Sequence, residues 1–434
     1  MIECDPTTAT WLLTTPRTAY ALRLGEDVRH VHWGPLVGLG DAAAMPASAA
    51  EELPGEGGER FGPPSLSVEF ADGTRAVEWS TPSAAAEDGH LAVRLADRHY
   101  PLELELHYRV RPDSDVLERW TVLRNTGAEP VAVGRLDAAN WALPSRTGWC
   151  LSTVAGEWAA EFRLRRSEAA WGETVFTSRR GTSRHQNNPW LSVDAGATEE
   201  RGEVWSVALA WSGTYRIAVA RTLADRLTVA AGAGHDLVLT KLRPGEEWRT
   251  PVCCGLYTVD GFGGASRAWH DHIRRHVLPA ADEPRPVLYN GWEGTWFDVN
   301  EVNQREVAAI AAELGVELFV MDDGWFGRRL DDRAGLGDWW PNPDRFPDGL
   351  GPLVAEVRRL GLRFGLWVEP EMVNPDSDLY RAHPTGYCTC RNAAAPRFAT
   401  SWCSTSPGPT WSSGRTPGWT GSSASTASTS SSGT

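Results

Sequence analysis

Three short apolar runs between Val287 and Pro384 each end in a cluster of polar or aromatic residues. They are Val287-Leu288-Tyr289-Asn290-Gly291-Trp292, Leu318-Phe319-Val320-Met321-Asp322-Asp323-Gly324-Trp325 and Phe364-Gly365-Leu366-Trp367-Val368-Glu369-Pro370-Glu371. Between them, Glu301 to Leu314 places Val302, Val307, Ile310, Ala311 and Leu314 on one helical face. Leu353 to Leu360 repeats the theme and stops at Gly361. An apolar strand, exposed chemistry at its C-terminal end and then a helix, repeated, is how a β/α barrel builds an active site.

Up to about Pro251 the pattern is different. Leu102-Glu103-Leu104-Glu105-Leu106 alternates strictly, and Val116 to Val122, Val204 to Ala210 and Leu227 to Ala230 read as further short strands. Gly, Pro and Asp punctuate them, which argues for a large antiparallel sandwich. Ala265 to Val277 reads as a helix and Pro279 to Pro286 as a linker. All-β followed by βαβα implies two domains.

The formal charge of -14 argues against electrostatic capture of nucleic acid or of an anionic membrane. No run is long and apolar enough to span a bilayer, and the N-terminal residues do not read as a signal peptide, so a cytoplasmic location is expected. The seven cysteines have no zinc or disulfide spacing. Cys253 and Cys254 read as buried strand thiols pointing to opposite faces. Twenty-two tryptophans, many beside Gly, Asp and Pro, suit sugar stacking as well as they suit a β-rich core.

Asp322 and Asp323 form the strongest chemical feature. Adjacent carboxylates at a strand end can accept hydrogen bonds from vicinal hydroxyls, whereas neighbours on one backbone rarely flank a scissile bond from both sides. Trp292 and Trp367, at the ends of the first and third runs, could wall a sugar pocket or pack beneath barrel loops. Glu369 and Glu371 alternate onto one side of the third run; one could reach the site and the other could pair with Arg328 or Arg329. Gly337-Asp338-Trp339-Trp340 reads equally as substrate wall or loop anchor. His272 and His276 share a helical face, but Arg274 and Arg275 beside them argue for a solvated surface over a metal site. No metal and no cofactor are expected.

These residues resemble the α-galactosidases of glycoside hydrolase family 36. The likeness is carried by YNGWEGTWFDVNE (from Tyr289), FVMDDGWFGRR (from Phe319), LGDWWPNPDRFPDGL (from Leu336), FGLWVEPEMV (from Phe364) and SDLYRAHP (from Ser377). Upstream, RRGTSRHQNNPW from Arg179 and WHDHIRRHVLP from Trp269 add to it. The resemblance implies an N-terminal antiparallel β-supersandwich over 1–261, a linker helix over 262–285 and the first part of a (β/α)8 TIM barrel over 286–384. It also implies retaining hydrolysis of terminal α-D-galactosyl groups such as those of melibiose and raffinose. Asp322 and Asp323 match the pair that holds galactose hydroxyls, and Trp292 and Trp367 match aromatic pocket residues. The family's nucleophile lies in a K-W-D motif and its acid/base is a later Asp; neither has a counterpart here, so no catalytic residue is assigned. A binding protein without turnover, an α-N-acetylgalactosaminidase and a galactosyl transferase are the alternatives. Homo-oligomers are implied for the full-length family and are not expected of this chain.

From Thr385 to Thr434 there is no Asp, Glu, Lys, Leu, Ile, Val or Met, so a disordered tail is expected, interrupting a barrel after about three strands. A shifted reading frame permits H-P-D-W-V-L-H around Pro384, N-Q-L-V-L-D-L-A-R-P-D-V from Ala399 and I-D-F-V-K-W-D from Ala427. The expectation is therefore a C-terminally truncated chain, out of frame from near codon 384.

Overall fold

In this computed structural model the described residues are 1–383, apart from 58, 59, 61, 223, 235–238 and 371, together with the short strand Trp402–Cys403. The expectations for the Ser/Thr-rich segment, and for Glu371, lie outside the described residues. The chain divides into two compact units, Met1–Asp282 and one beginning at Glu283.

The first unit is antiparallel β structure. Its widest sheet has ten strands, running from the edge strand Arg163–Glu168 through Cys150–Ala155, Trp190–Asp194, Val204–Leu209, Cys253–Thr258, Val116–Asn125, Leu102–Arg109 and His90–Ala96 to Ser83–Glu87, with Glu247–Arg249 also on Val116–Asn125. Smaller sheets are built from Ile2–Asp5 to Val28–Pro35, from Leu66–Glu69, Val131–Leu136 and Thr240–Leu242, and from Ala139–Ala142, Leu227–Ala233, Tyr215–Arg221 and Gly172–Ser178. The alternation of Leu102–Arg109 is realised in space: Leu102, Leu104, Leu106 and Tyr108 are buried while Glu103, Glu105 and His107 are not. Each buried leucine contributes about 1.5–3 kcal/mol. Trp141, Trp149 and Trp205 are fully buried in the same core, so much of the tryptophan content is structural bulk. Cys253 and Cys254 are buried on neighbouring positions of one strand, and Trp141 Nε1 donates to Cys253 Sγ at 3.3 Å.

This core also holds charge. Glu52 and Arg119 are paired at 2.7 Å, both buried, and the Tyr20 and Tyr108 hydroxyls donate to the same carboxylate at 2.7 and 2.8 Å. The long helix Gly261–His276 packs against Cys253–Thr258 and Val204–Leu209. His272 and His276 correct the sequence expectation of a solvated face. His272 is buried with Nδ1 2.9 Å from Ser114 Oγ, and His276 Nε2 lies 3.0 Å from Asp113 Oδ1. They fasten the helix to the turn before Val116. No group of three or more His, Cys, Asp or Glu among the described residues could hold a metal ion.

The second unit opens with a parallel three-stranded sheet, Leu288–Asn290, Leu318–Met321 and Arg363–Leu366, in chain order and in register (Leu288 opposite Leu318, Leu318 opposite Arg363). The crossovers contain Glu301–Glu313 and Gly351–Arg359. Asn300 starts the first helix with a capping box: its side chain accepts from Asn303 N, and Asn303 returns a bond to its backbone. Phe319, Met321, Leu353, Val357 and Leu362 form the core with Ala308 and Ala311. The helical face differs from the one read in the sequence. Gln304, Ala308 and Ala311 are buried, whereas Val302, Ile310 and Leu314 are exposed. Among the described residues the architecture is a β-sandwich followed by three parallel strands of a β/α barrel.

Candidate functional site

The parallel register brings the C-terminal ends of the first two barrel strands together, since Asn290 lies opposite Val320. Asp322 follows one residue beyond the second strand, half-buried. Its Oδ2 accepts from Asn290 Nδ2 at 2.6 Å and its Oδ1 from Asp323 N at 2.7 Å. Burial pushes the Asp322 carboxyl above its ordinary value, against the pull of the Asn290 and backbone hydrogen bonds. Asn290 serves both neighbours, because its Oδ1 accepts from Trp292 N at 2.8 Å.

Asp323 has a different environment. It is buried, and Arg329 donates to both of its oxygens, Nε to Oδ1 at 2.9 Å and Nη2 to Oδ2 at 2.8 Å. Gly324 N adds a bond to Oδ1 at 2.7 Å. Arg329 is fixed in turn by Asn374 Oδ1 at 3.1 Å, and Asn374 is fully buried with Leu336 N on the same oxygen at 2.8 Å. The carboxylate that engages Arg329 is thus the neighbour of Asp322. One member of the pair is half-buried, and the other is buried and held by Arg329.

Trp292 begins the short helix Trp292–Thr295, two residues past the first strand, where its ring packs 5.1 Å from both Trp296 and Phe297. Trp367 directly follows the third strand. Its backbone N donates to Met321 O at 3.0 Å and its carbonyl accepts from Trp325 Nε1 at 3.0 Å. Its ring lies beside Trp339 and Phe326. The two tryptophans belong to separate aromatic groups. Asp338 is an anchor: it is buried, and its oxygens cap the helix Asp378–Ala382 through Asp378 N and Leu379 N, each at 3.0 Å. Sequence reasoning missed Asn290 as the bridge between Asp322 and Trp292; its place at the end of a parallel strand was the available signal.

Carboxylates, an amide and indoles gather where the parallel strands end, the position at which β/α barrels carry their active sites. The chain belongs to glycosyl hydrolase family 36: the family's N-terminal domain matches residues 26–243 and the Melibiase domain matches residues 247–396. It is 40% identical over 307 residues to a probable alpha-galactosidase C of Aspergillus flavus, covering 68% of this chain and 41% of that protein. It is 32% identical over 429 residues to the alpha-galactosidase Mel36A of Lactobacillus acidophilus, covering 88% of this chain and 58% of the relative. The crystal structure of the alpha-galactosidase AgaB from Geobacillus stearothermophilus superimposes with a TM-score of 0.85 at 30% identity, over 93% of this chain and 61% of that one. The chain spans about half the length of the curated relatives it matches.

Proposed function

We propose that this chain carries the galactosyl-binding part of an α-galactosidase site, in an enzyme lineage that hydrolyses terminal α-D-galactosyl groups of oligosaccharides such as melibiose and raffinose. Asp322 and Asp323 receive the sugar hydroxyls, and Trp292 and Trp367 wall the ring. The observation that carries this reading is the Asn290–Asp322 contact at 2.6 Å, which presents a partly open carboxylate across two adjacent strand ends. A solved relative, the alpha-galactosidase AgaA of Geobacillus stearothermophilus at 30% identity, is in complex with raffinose, which supports the substrate class.

Retaining hydrolysis uses two carboxyls about 5–5.5 Å apart, one as nucleophile and one as acid and base. Asp322 and Asp323 are successive residues, and Asp323 is already neutralised by Arg329. We therefore propose that the chain binds galactosides without turning them over. Calorimetry with galactose and melibiose, run beside release of nitrophenol from nitrophenyl α-galactoside, tests both halves. Saturable binding lost in Asp322→Ala, with no nitrophenol released, is the expected result. Absence of binding overturns the site, and rapid release overturns the role without catalysis. N-acetylgalactosaminide and transfer substrates in the same panel separate the alternative chemistries.

The domain reading that accompanies this is a sandwich over 1–261, a connecting helix over 262–285 and early barrel from 286 to 384. The switch from antiparallel to parallel strands supports it. A cytoplasmic location is supported by unpaired thiols at Cys4, Cys150, Cys253 and Cys254. No described helix is long and apolar enough to cross a membrane.

A further inference from the structure

A groove of about 1860 Å³ runs through the first unit, between the strand Val28–Pro35 on one side and the ends of Ala139–Ala142, Tyr215–Arg221 and Leu227–Ala233 on the other. It is larger than the roughly 300–1,000 Å³ of ordinary small-molecule pockets, and so has room for a chain of rings. Five arginines and four carboxylates line it, a nearly balanced set in a chain of net charge -14. That balance offers donors and acceptors without the one-signed field that would select a polyanion or a polycation.

Trp33 and Trp205 are buried along its wall, and Trp205 Nε1 donates to Trp33 O at 3.3 Å. Trp171 also lines the groove, yet unlike Trp33 and Trp205 it is 54% exposed. Its indole is held from one side by the Arg221 guanidinium, whose Cζ lies 4.0 Å from the ring centroid. Arg221 is itself immobilised by Ala169 O at 2.6 Å and Asp225 Oδ1 at 2.7 Å. An indole fixed on one face and open to solvent elsewhere is a pre-organised stacking platform, and the cost of ordering it is already met within the fold. Nearby, Arg146 and Glu203 form an ion pair at 3.0 Å that presents both a donor and an acceptor to the groove.

We infer that this groove is a second carbohydrate site, separate from the Asp322 site, which takes a neutral oligosaccharide of several rings with one ring stacked on Trp171. It goes beyond the proposed function, because nothing in that reading requires the sandwich to touch sugar.

The test is titration of the full chain with stachyose and with soluble galactomannan, followed by tryptophan fluorescence and calorimetry, with heparin as an acidic counter-probe. The expected result is saturable binding that Trp171→Ala weakens roughly tenfold, the worth of one aromatic stack. Trp171→Phe should retain most of the affinity, and Asp322→Ala should leave this component in place. Circular dichroism verifies that each variant is folded. Binding insensitive to Trp171→Ala overturns the groove site, as does saturation by heparin alone or no binding in any titration. Binding abolished by Asp322→Ala and untouched at Trp171 assigns all recognition to the barrel site and likewise overturns the groove.

Discussion

Arg329 grips Asp323 through two donors, Nε to Oδ1 at 2.9 Å and Nη2 to Oδ2 at 2.8 Å, with both side chains only 7% exposed. The pair adjoins Asp322 in the chain, and Asn374 ties it to the Leu336 backbone. Removing one member of a buried pair leaves the other charge uncompensated, at a cost of about 3–5 kcal/mol. Arg329→Ala is therefore expected to unfold the second unit at much lower urea concentration than wild type. Arg329→Lys should recover only part of the loss, since an ammonium cannot reproduce the two-pronged geometry. Urea unfolding followed by fluorescence checks this, and equal midpoints for wild type and Arg329→Ala would contradict it.

Asp322 has no cationic partner of this kind among its hydrogen bonds, which come from Asn290 and the Asp323 backbone. Its folded carboxyl is raised, chiefly by burial, so the folded state favours the neutral form. The associated stability is fully present below the unfolded carboxyl range of about 3.9 and is lost as pH rises through the folded value. Asp322→Asn has no such titration. Its urea midpoint is expected to gain on wild type as pH is raised from about 3 to about 7. Parallel pH curves for the two proteins would show that Asp322 is not strained by ionisation.

How far the sequence reaches is visible in these two residues. The aspartate pair was legible from its position after an apolar strand, but the inequality between its members was not. It depends on Asn290, thirty-two residues before Asp322, and on Arg329, six residues after Asp323. His272 shows the same limit, since the Ser114 hydroxyl that buries it lies 158 positions away. Strong alternation made Leu102–Arg109 readable, whereas Arg163–Glu168 is exposed throughout, with four of its six residues charged, and is held as a strand by its register on Cys150–Ala155. The long helix starts four residues earlier than its apolar spacing indicates, because Gly261, at φ 66°, packs against Thr198 O where a side chain would collide.

In the sandwich core, Arg119 is the sole guanidinium on Glu52, at 2.7 Å, and also donates to Tyr20 Oη at 2.9 Å among the described residues. Its guanidinium lies 4.6 Å from the Trp141 ring centroid. Arg119→Met should cost about 3–5 kcal/mol by stranding the Glu52 carboxylate. Adding Glu52→Gln should return part of that loss, which a double-mutant cycle measures directly. Tyr108→Phe removes one hydrogen bond to the charged group and is expected to cost about 1.5–3 kcal/mol.

The Cys253 thiol is pushed up to about 12, with burial as the largest cause, and Cys254 is raised above its ordinary value for the same reason. Because the thiolate is the reactive species, neither should be modified at pH 8 while the sandwich is folded. Alkylation mapped by mass spectrometry is expected to label both only after denaturation. Labelling of the native protein at either position would show that the strand opens locally.

Gly255 supplies the sharpest packing test. It sits in the buried strand Cys253–Thr258, where an added Cβ would come within 2.5–2.8 Å of three carbons of the Trp141 ring. That ring is fully buried, packed on Trp33 with centroids 4.6 Å apart and planes tilted by 31°, and tied through Nε1 to Cys253, so it has little freedom to retreat. Gly255→Ala is expected to destabilise the first unit by about 1–3 kcal/mol through overpacking. Pairing it with Trp141→Phe, which removes part of the opposing ring, should make the alanine less costly than it is in the wild-type background. If the alanine costs the same in both backgrounds, Trp141 is not the obstacle and the strand has shifted to accommodate the methyl group.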